Sequence, residues 1–140
     1  ENLKNDLLGK LDYMERLVSE VEERSPQVIS EYRIKLEDKI RELLASAAID
    51  ENRIATEVTI FADKICVDEE TVRLRSHISN TRKELTEGGS IGRKLDFIAQ
   101  EMNREANTIL SKANDLEISQ RAIALKTEVE KVREQIQNIE

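Results

Sequence analysis

The chain has 140 residues, 36% of them charged and 3% aromatic, with a formal net charge of −7. That length suits a single domain with one modest core, and the shortage of rings favours long helices meeting along narrow seams. The acidic balance argues against a freestanding nucleic-acid binder of the basic-patch kind. No run of about 18 apolar residues or charged-then-apolar leader suggests a membrane span or a signal peptide.

From Leu7 the apolar residues step by four and three through Leu11, Met14, Val18, Val21, Val28, Tyr32, Leu36, Ile40 and Leu43. This is the narrow seam of a coiled coil or an antiparallel helical pair. Pro26 removes one backbone donor, and Ser25 before it could cap a fresh helix. The seam nevertheless keeps its phase through Pro26, which predicts one long kinked helix over residues 2–46. At ~1.5 Å per residue such a helix is about 65 Å long. It is too long to bury itself in a chain of this size and is expected to protrude or to pack on another subunit.

A helical core is expected over 50–140. Asp50 offers a cap, followed by a short helix with Ile54, Val58, Phe61 and Ile65 on one stripe. Asp68 is expected to cap the next, which carries Leu74, Ile78, Thr81 and Leu85 and ends at Gly88 and Gly89. The following helix runs from about Ile91 to Ser111. Asn114 and Asp115 break and recap the chain. The last helix, from Leu116 to about Ile139, repeats Ile118, Ala122, Leu125, Val129, Val132, Ile136 and Ile139 in an unbroken heptad rhythm. The fold class read from these patterns is all-α, an extended helical bundle or set of hairpins with long coiled-coil-like helices in a single domain, residues 1–140.

The segment Gly92 to Lys112 is the richest in chemistry. At about 100° per residue, Leu95, Ile98, Met102, Ala106 and Ile109 share an apolar face. One polar shoulder carries Lys94, Glu101, Glu105, Thr108 and Lys112; the other carries Asp96, Gln100, Asn103 and Asn107. Arg93, Phe97 and Arg104 point between them. Asparagines are poor helix formers because they compete with the backbone for hydrogen bonds. Asp96, Asn103 and Asn107 therefore either read phosphate and sugar groups or lock the helix to its neighbours.

Glu101 and Glu105, one turn apart, could share a divalent ion, or one could bind it while the other polarises a water. They could equally pair with neighbouring cations. His77, the single histidine, lies on the edge of its helix beside Glu70, Arg73 and Glu84. It is a general acid or base or a metal ligand, or else a histidine at the core's margin. Gly88, Gly89, Ser90, Gly92, Arg93 and Lys94 form a glycine-rich turn into a helix N-terminus, suited to phosphate or simply a connector. The strand-flanked pattern of a nucleotide-binding loop is absent, so no nucleotide cofactor is expected. Arg73, Arg75, Arg82, Lys83, Arg104 and Arg121 form either a basic track or a solvated face. Cys66 stands alone, without an intrachain disulfide partner, as in a reducing cytoplasm.

The wording GRKLDFIAQEMNREANT with the following SK, the closing VEKVREQIQNIE, and upstream RLRSHI and EGGSIGRKLDF resemble the YicC/YloC family of bacterial proteins. The match runs over essentially the whole chain and covers the C-terminal half of a family member, and a start at Glu1 instead of methionine agrees with that. The resemblance implies an endoribonuclease that cleaves RNA phosphodiester bonds. It is expected to depend on a divalent ion, Mg²⁺ or Mn²⁺, and to work as a homo-oligomer, a hexamer. On that reading Glu101, Glu105 and His77 are the catalytic set, with Glu101 and Glu105 as metal ligands. Arg93, Lys94, Arg104, Asn103, Asn107 and Lys112 hold RNA. The alternative is an oligomerisation or interaction module with no chemistry of its own.

Overall fold

A computed structural model describes residues 2–44, 48–88 and 92–139. Expectations for residues 45 and 46, for Gly89 to Ile91 and for the Ile139 side chain lie outside the described residues. The chain is all-α: helices α1 (Asn2–Leu44), α2 (Glu51–Ile65), α3 (Asp68–Glu87), α4 (Gly92–Lys112) and α5 (Leu116–Ile139) follow in order.

Four of these, α1, α3, α4 and α5, pack in a ring, each on two neighbours, with α1 against α3 and α5 and α4 against α3 and α5. Cross-helix ion pairs fix the direction of three of the four seams, and the fourth follows from them. Arg82 meets Asp12 while Arg75 meets Glu22, so α3 runs against α1. Arg24 meets Asp115 while Arg121 meets Glu20, so α5 also runs against α1. Lys94 with Glu84 and Arg73 with Glu105 set α4 against α3. The result is an up-down-up-down four-helix bundle.

The heptad stripes form one core. Leu7, Leu11, Met14, Val18 and Val21 from α1 meet Leu74 and Ile78, Leu95, Met102 and Ile109, and Leu125, Val129 and Val132 from the other three helices. Fully burying each such side chain contributes about 1.5–3 kcal/mol, whereas each part-exposed ion pair on the rim contributes about 0–1 kcal/mol. Burial holds the bundle together; the ion pairs choose its register. Arg75, Arg82 and Arg121, expected as part of a basic track or a solvated face, are instead engaged between helices.

Helix α1 passes through Pro26 without ending. The Ser25 hydroxyl donates to the Val21 carbonyl at 2.8 Å, while the proline leaves the carbonyl four residues before it without its helical donor. Burial in α1 stops at Val28. Beyond it α1 leaves the bundle and pairs with α2, where Tyr32 stacks on Phe61 with centroids 3.9 Å apart. This two-helix arm exposes Ile34, Leu43, Leu44 and Ile60, Leu43 at 69%, which is the protrusion that the length of α1 implied.

Asp50 caps α2 by accepting from the Asn52 and Arg53 amides. Asp115 caps α5 through the Ile118 amide at 3.1 Å. Asp68, by contrast, is the first residue of α3, and Val67 takes the cap position without a side-chain hydrogen bond; Val67 is buried, so the helix is entered through a core residue. Gly88 ends α3 with φ at 76°, a left-handed conformation that glycine adopts without strain.

Candidate functional site

The two polar shoulders of α4 reach different neighbours. Lys94, Glu105 and Lys112 face α3, each meeting a partner there, whereas Asp96 faces α5 and accepts from Arg133 at 3.2 Å. The polar residues of α3 that answer are Glu70, Arg73 and Glu84, spaced at helical intervals along one flank.

Along this α3–α4 edge the rungs follow one another. Lys94 Nζ lies 2.8 Å from Glu84, and the Arg73 guanidinium donates to Glu105 Oε2 at 3.0 Å. Lys112 Nζ donates to Glu70 Oε2 at 2.9 Å and to the Cys66 carbonyl at 3.2 Å. Between the first two rungs, the antiparallel register sets His77 across from Glu101. Both are half-buried. Among the described residues Glu101 has only a loose contact with Arg104, at 3.8 Å on its own helix.

Glu105 is 5% exposed and Glu70 4% exposed, and burial of a carboxylate is tolerated when a cation is held against it. The hydrogen bond that the Arg73 guanidinium donates to Glu105 is the main reason that this group is held above its ordinary range; burial opposes it. Glu84 likewise raises the Lys94 ammonium. The second oxygen of Glu70, Oε1, is buried without a hydrogen-bond partner, a cost of roughly 1–3 kcal/mol. A half-exposed acid and a half-exposed imidazole thus share one level of the edge, between two cations, Arg73 and Lys94, that are anchored by carboxylates.

The expected site residues divide accordingly. Glu101, Glu105, His77, Lys94 and Lys112 share the α3–α4 edge. Arg93, Arg104 and Asn107 lie on the solvent face of α4, and Asn103 is half-buried on the shoulder towards α5. Neither Asn103 nor Asn107 makes a side-chain hydrogen bond among the described residues, so the reading of these amides as a lock between helices gains no bond; Asp96 provides that tie through Arg133. The partners Glu70, Arg73 and Glu84 were legible only as neighbours of His77 on one helix flank.

Among the described residues no three His, Cys, Asp or Glu side chains stand together closely enough to hold a metal ion, and Glu105 is already engaged by Arg73. A cation at Glu101 and Glu105 is therefore not built by these residues alone, and no chemical step is assigned to it. No described helix is long and apolar enough to cross a membrane.

The model of the family described as "Endoribonuclease YicC-like, C-terminal" matches residues 21–140. Among similar proteins, the "Probable endoribonuclease YicC" of Clostridioides difficile (strain 630) is 47% identical over 141 residues, covering 100% of this chain and 48% of that protein. A protein of the same description from Haemophilus influenzae is 37% identical over 140 residues, again covering 100% of this chain and 48% of the relative. The chain spans about half the length of the curated relatives it matches. With 120 of its residues matched by that family's model and all of it aligned to both relatives, the chain belongs to the YicC-like endoribonuclease family, as its C-terminal domain.

Proposed function

We propose that this domain carries the acid–base edge of an endoribonuclease that cuts RNA phosphodiester bonds. The observation that carries this reading is the placement of His77 opposite Glu101 between the Arg73–Glu105 and Lys94–Glu84 ion pairs, together with the description of the relatives as probable endoribonucleases. In the proposed reaction one member of the Glu101–His77 pair takes the proton of the attacking hydroxyl, a ribose 2′-OH or water. As that oxygen bonds to phosphorus, the 5′-oxygen leaves and receives a proton from the other member. Arg73, held one turn from Glu101 by Glu105, neutralises the phosphate charge that grows in the transition state, while Lys94 and Lys112, about 10 Å and about 16 Å along the helix from Glu101, hold neighbouring backbone phosphates. Glu105 positions Arg73 and does not itself touch the reacting atoms.

A requirement for Mg²⁺ or Mn²⁺ belongs to the same proposal only if donors from outside the described residues join Glu101 and Glu105. The test is RNA cleavage by a protein of the relatives' full length, with and without each ion, comparing Glu101→Gln, His77→Ala and Glu105→Gln. Loss of 10²-fold or more in cleavage rate by the first two variants, with RNA binding retained, is the expected result. Undiminished cleavage by Glu101→Gln would remove the edge from the chemistry. Cleavage at full rate in excess chelator would remove the metal.

A second reading rests on the arm. Its exposed Ile34, Leu43, Leu44 and Ile60 suit assembly with further copies, the hexamer that the family resemblance implied, in which this half builds the oligomer. Light scattering on the chain and on a variant with these four residues changed to Ser tests it: assembly is expected for the first and lost in the second. Cleavage by the full-length protein that survives Glu101→Gln, beside an oligomeric but inactive domain, would make this half a scaffold.

A further inference from the structure

Phe97 stands in the middle of the solvent face of α4 and is 62% exposed. Aromatic residues are scarce in this chain, 3% in all, and the others have neighbours: Tyr32 stacks on Phe61, and Tyr13 lies under Arg16 and against the core. Phe97 is the large ring presented to solvent, and the residues around it are not those of an apolar patch. One turn before it is Arg93 and two turns after it is Arg104; among the described residues the first makes no ion pair and the second only its loose contact to Glu101. Gln100 and Asn107, both exposed, complete the same stripe. The arginines sit about 6 Å and about 10 Å along the helix axis on either side of the ring.

We infer that this stripe is a stacking platform for single-stranded RNA, with a base on the Phe97 ring and backbone phosphates on Arg93 and Arg104. The inference rests on the RNA reading above and deepens it by naming the form of RNA and the residue that grips it. Aromatic rings accept bases of any sequence because every base offers a π-face, while flanking cations follow the backbone. The Asn107 amide adds a donor and an acceptor for base edges, and Gln100, whose amide nitrogen donates to Asp96 at 3.1 Å, offers its carbonyl oxygen. A duplex offers no unstacked base to such a ring, so the platform selects unpaired segments. Charge complementarity points to a polyanionic strand here: Arg93 and Arg104 are both exposed, Arg93 makes no ion pair among the described residues and Arg104 only a 3.8 Å contact, so both guanidinium groups can meet backbone phosphates. The platform lies beside the Glu101–His77 rung on the same helix, so a strand held there passes the proposed acid–base pair.

The chain contains no tryptophan, so Phe97→Trp places one reporter at the platform. Titration with a single-stranded oligoribonucleotide is expected to quench its emission, while an abasic oligonucleotide of the same length does not. By anisotropy of labelled RNA, Phe97→Ala and Phe97→Leu should each bind about 5- to 100-fold more weakly and Phe97→Tyr near normally. Circular dichroism should show unchanged helix content in all four. RNA that binds without quenching, or with undiminished affinity to Phe97→Leu, would overturn the platform and leave the cleavage reading standing. An unmodified chain that binds no single-stranded RNA would also overturn it, the cleavage reading being decided separately by Glu101→Gln. If Phe97→Ala changes the mass seen by light scattering, the ring packs on another copy and the inference fails.

Discussion

Asp115 performs two tasks with one carboxylate. It accepts the Ile118 amide that begins α5 and takes two hydrogen bonds from Arg24 of α1. The hydrogen bonding from Arg24 is the main reason its carboxyl is held below the ordinary range, with burial opposing and the helix amides assisting. Glu22 and Glu15 are lowered in the same sense, by Arg75 and Arg82. A carboxyl lowered in the folded state contributes stability that is present above its unfolded value and is lost as pH falls through the folded one. Stability should therefore decline below about pH 4. Asp115→Asn keeps an acceptor for the cap and removes the charge. Urea unfolding at pH 7 should show a loss of about 1 kcal/mol that narrows as pH falls below about 4; a difference that stays constant as the pH is lowered would mean that the Arg24 pairing contributes nothing. The spacing of Glu101 and Glu105 was legible in the sequence, but their different fates were not. Four residues leave them some 40° apart around the helix. Which of the two rolls under α3 depends on how the helix is turned in the bundle, and a single helix's pattern does not contain that angle.

At the scale of the helices, α1 could be read through Pro26 because its apolar phase survives the proline, and tertiary packing outweighs the missing hydrogen bond. Asp68 was misplaced for the opposite reason. Its side chain is of a capping type, but the buried Val67 before it already takes the cap position of α3. Since α1 continues helically on both sides of Pro26, Pro26→Ala returns the donor without disturbing a turn. It should stabilise the chain by about 1–3 kcal/mol. Thermal unfolding decides this, and a lower midpoint would mean that the helix needs the proline's geometry. The arginines of α3 were ambiguous for want of register. Arg73 turns to the α4 seam while Arg75 and Arg82 turn to the α1 seam, and only the placement of three helices together says which carboxylate each one meets.

For the molecule as a whole, the all-α class and the apolar stripes were readable because heptad spacing determines which face of each helix is buried. The ring of α1, α3, α4 and α5, with α2 set apart, was not. It depends on which helices become neighbours, and the stripes of all of them look alike. The two parts should differ in resistance to substitution. Leu74→Ala, in the bundle core and fully buried, should cost about 2–5 kcal/mol, while Ile60→Ala on the exposed side of the arm should lie within about 0.5 kcal/mol of the unaltered chain. Equal losses in chemical denaturation would mean that the arm is part of the cooperative core. Because one rod runs from the bundle into the arm, a sideways load at the tip acts as on a lever clamped at its base. The gap in the backbone ladder at Pro26 is set close to that clamp, so bending should concentrate there, and amide hydrogen exchange should quicken first in the turns just beyond it.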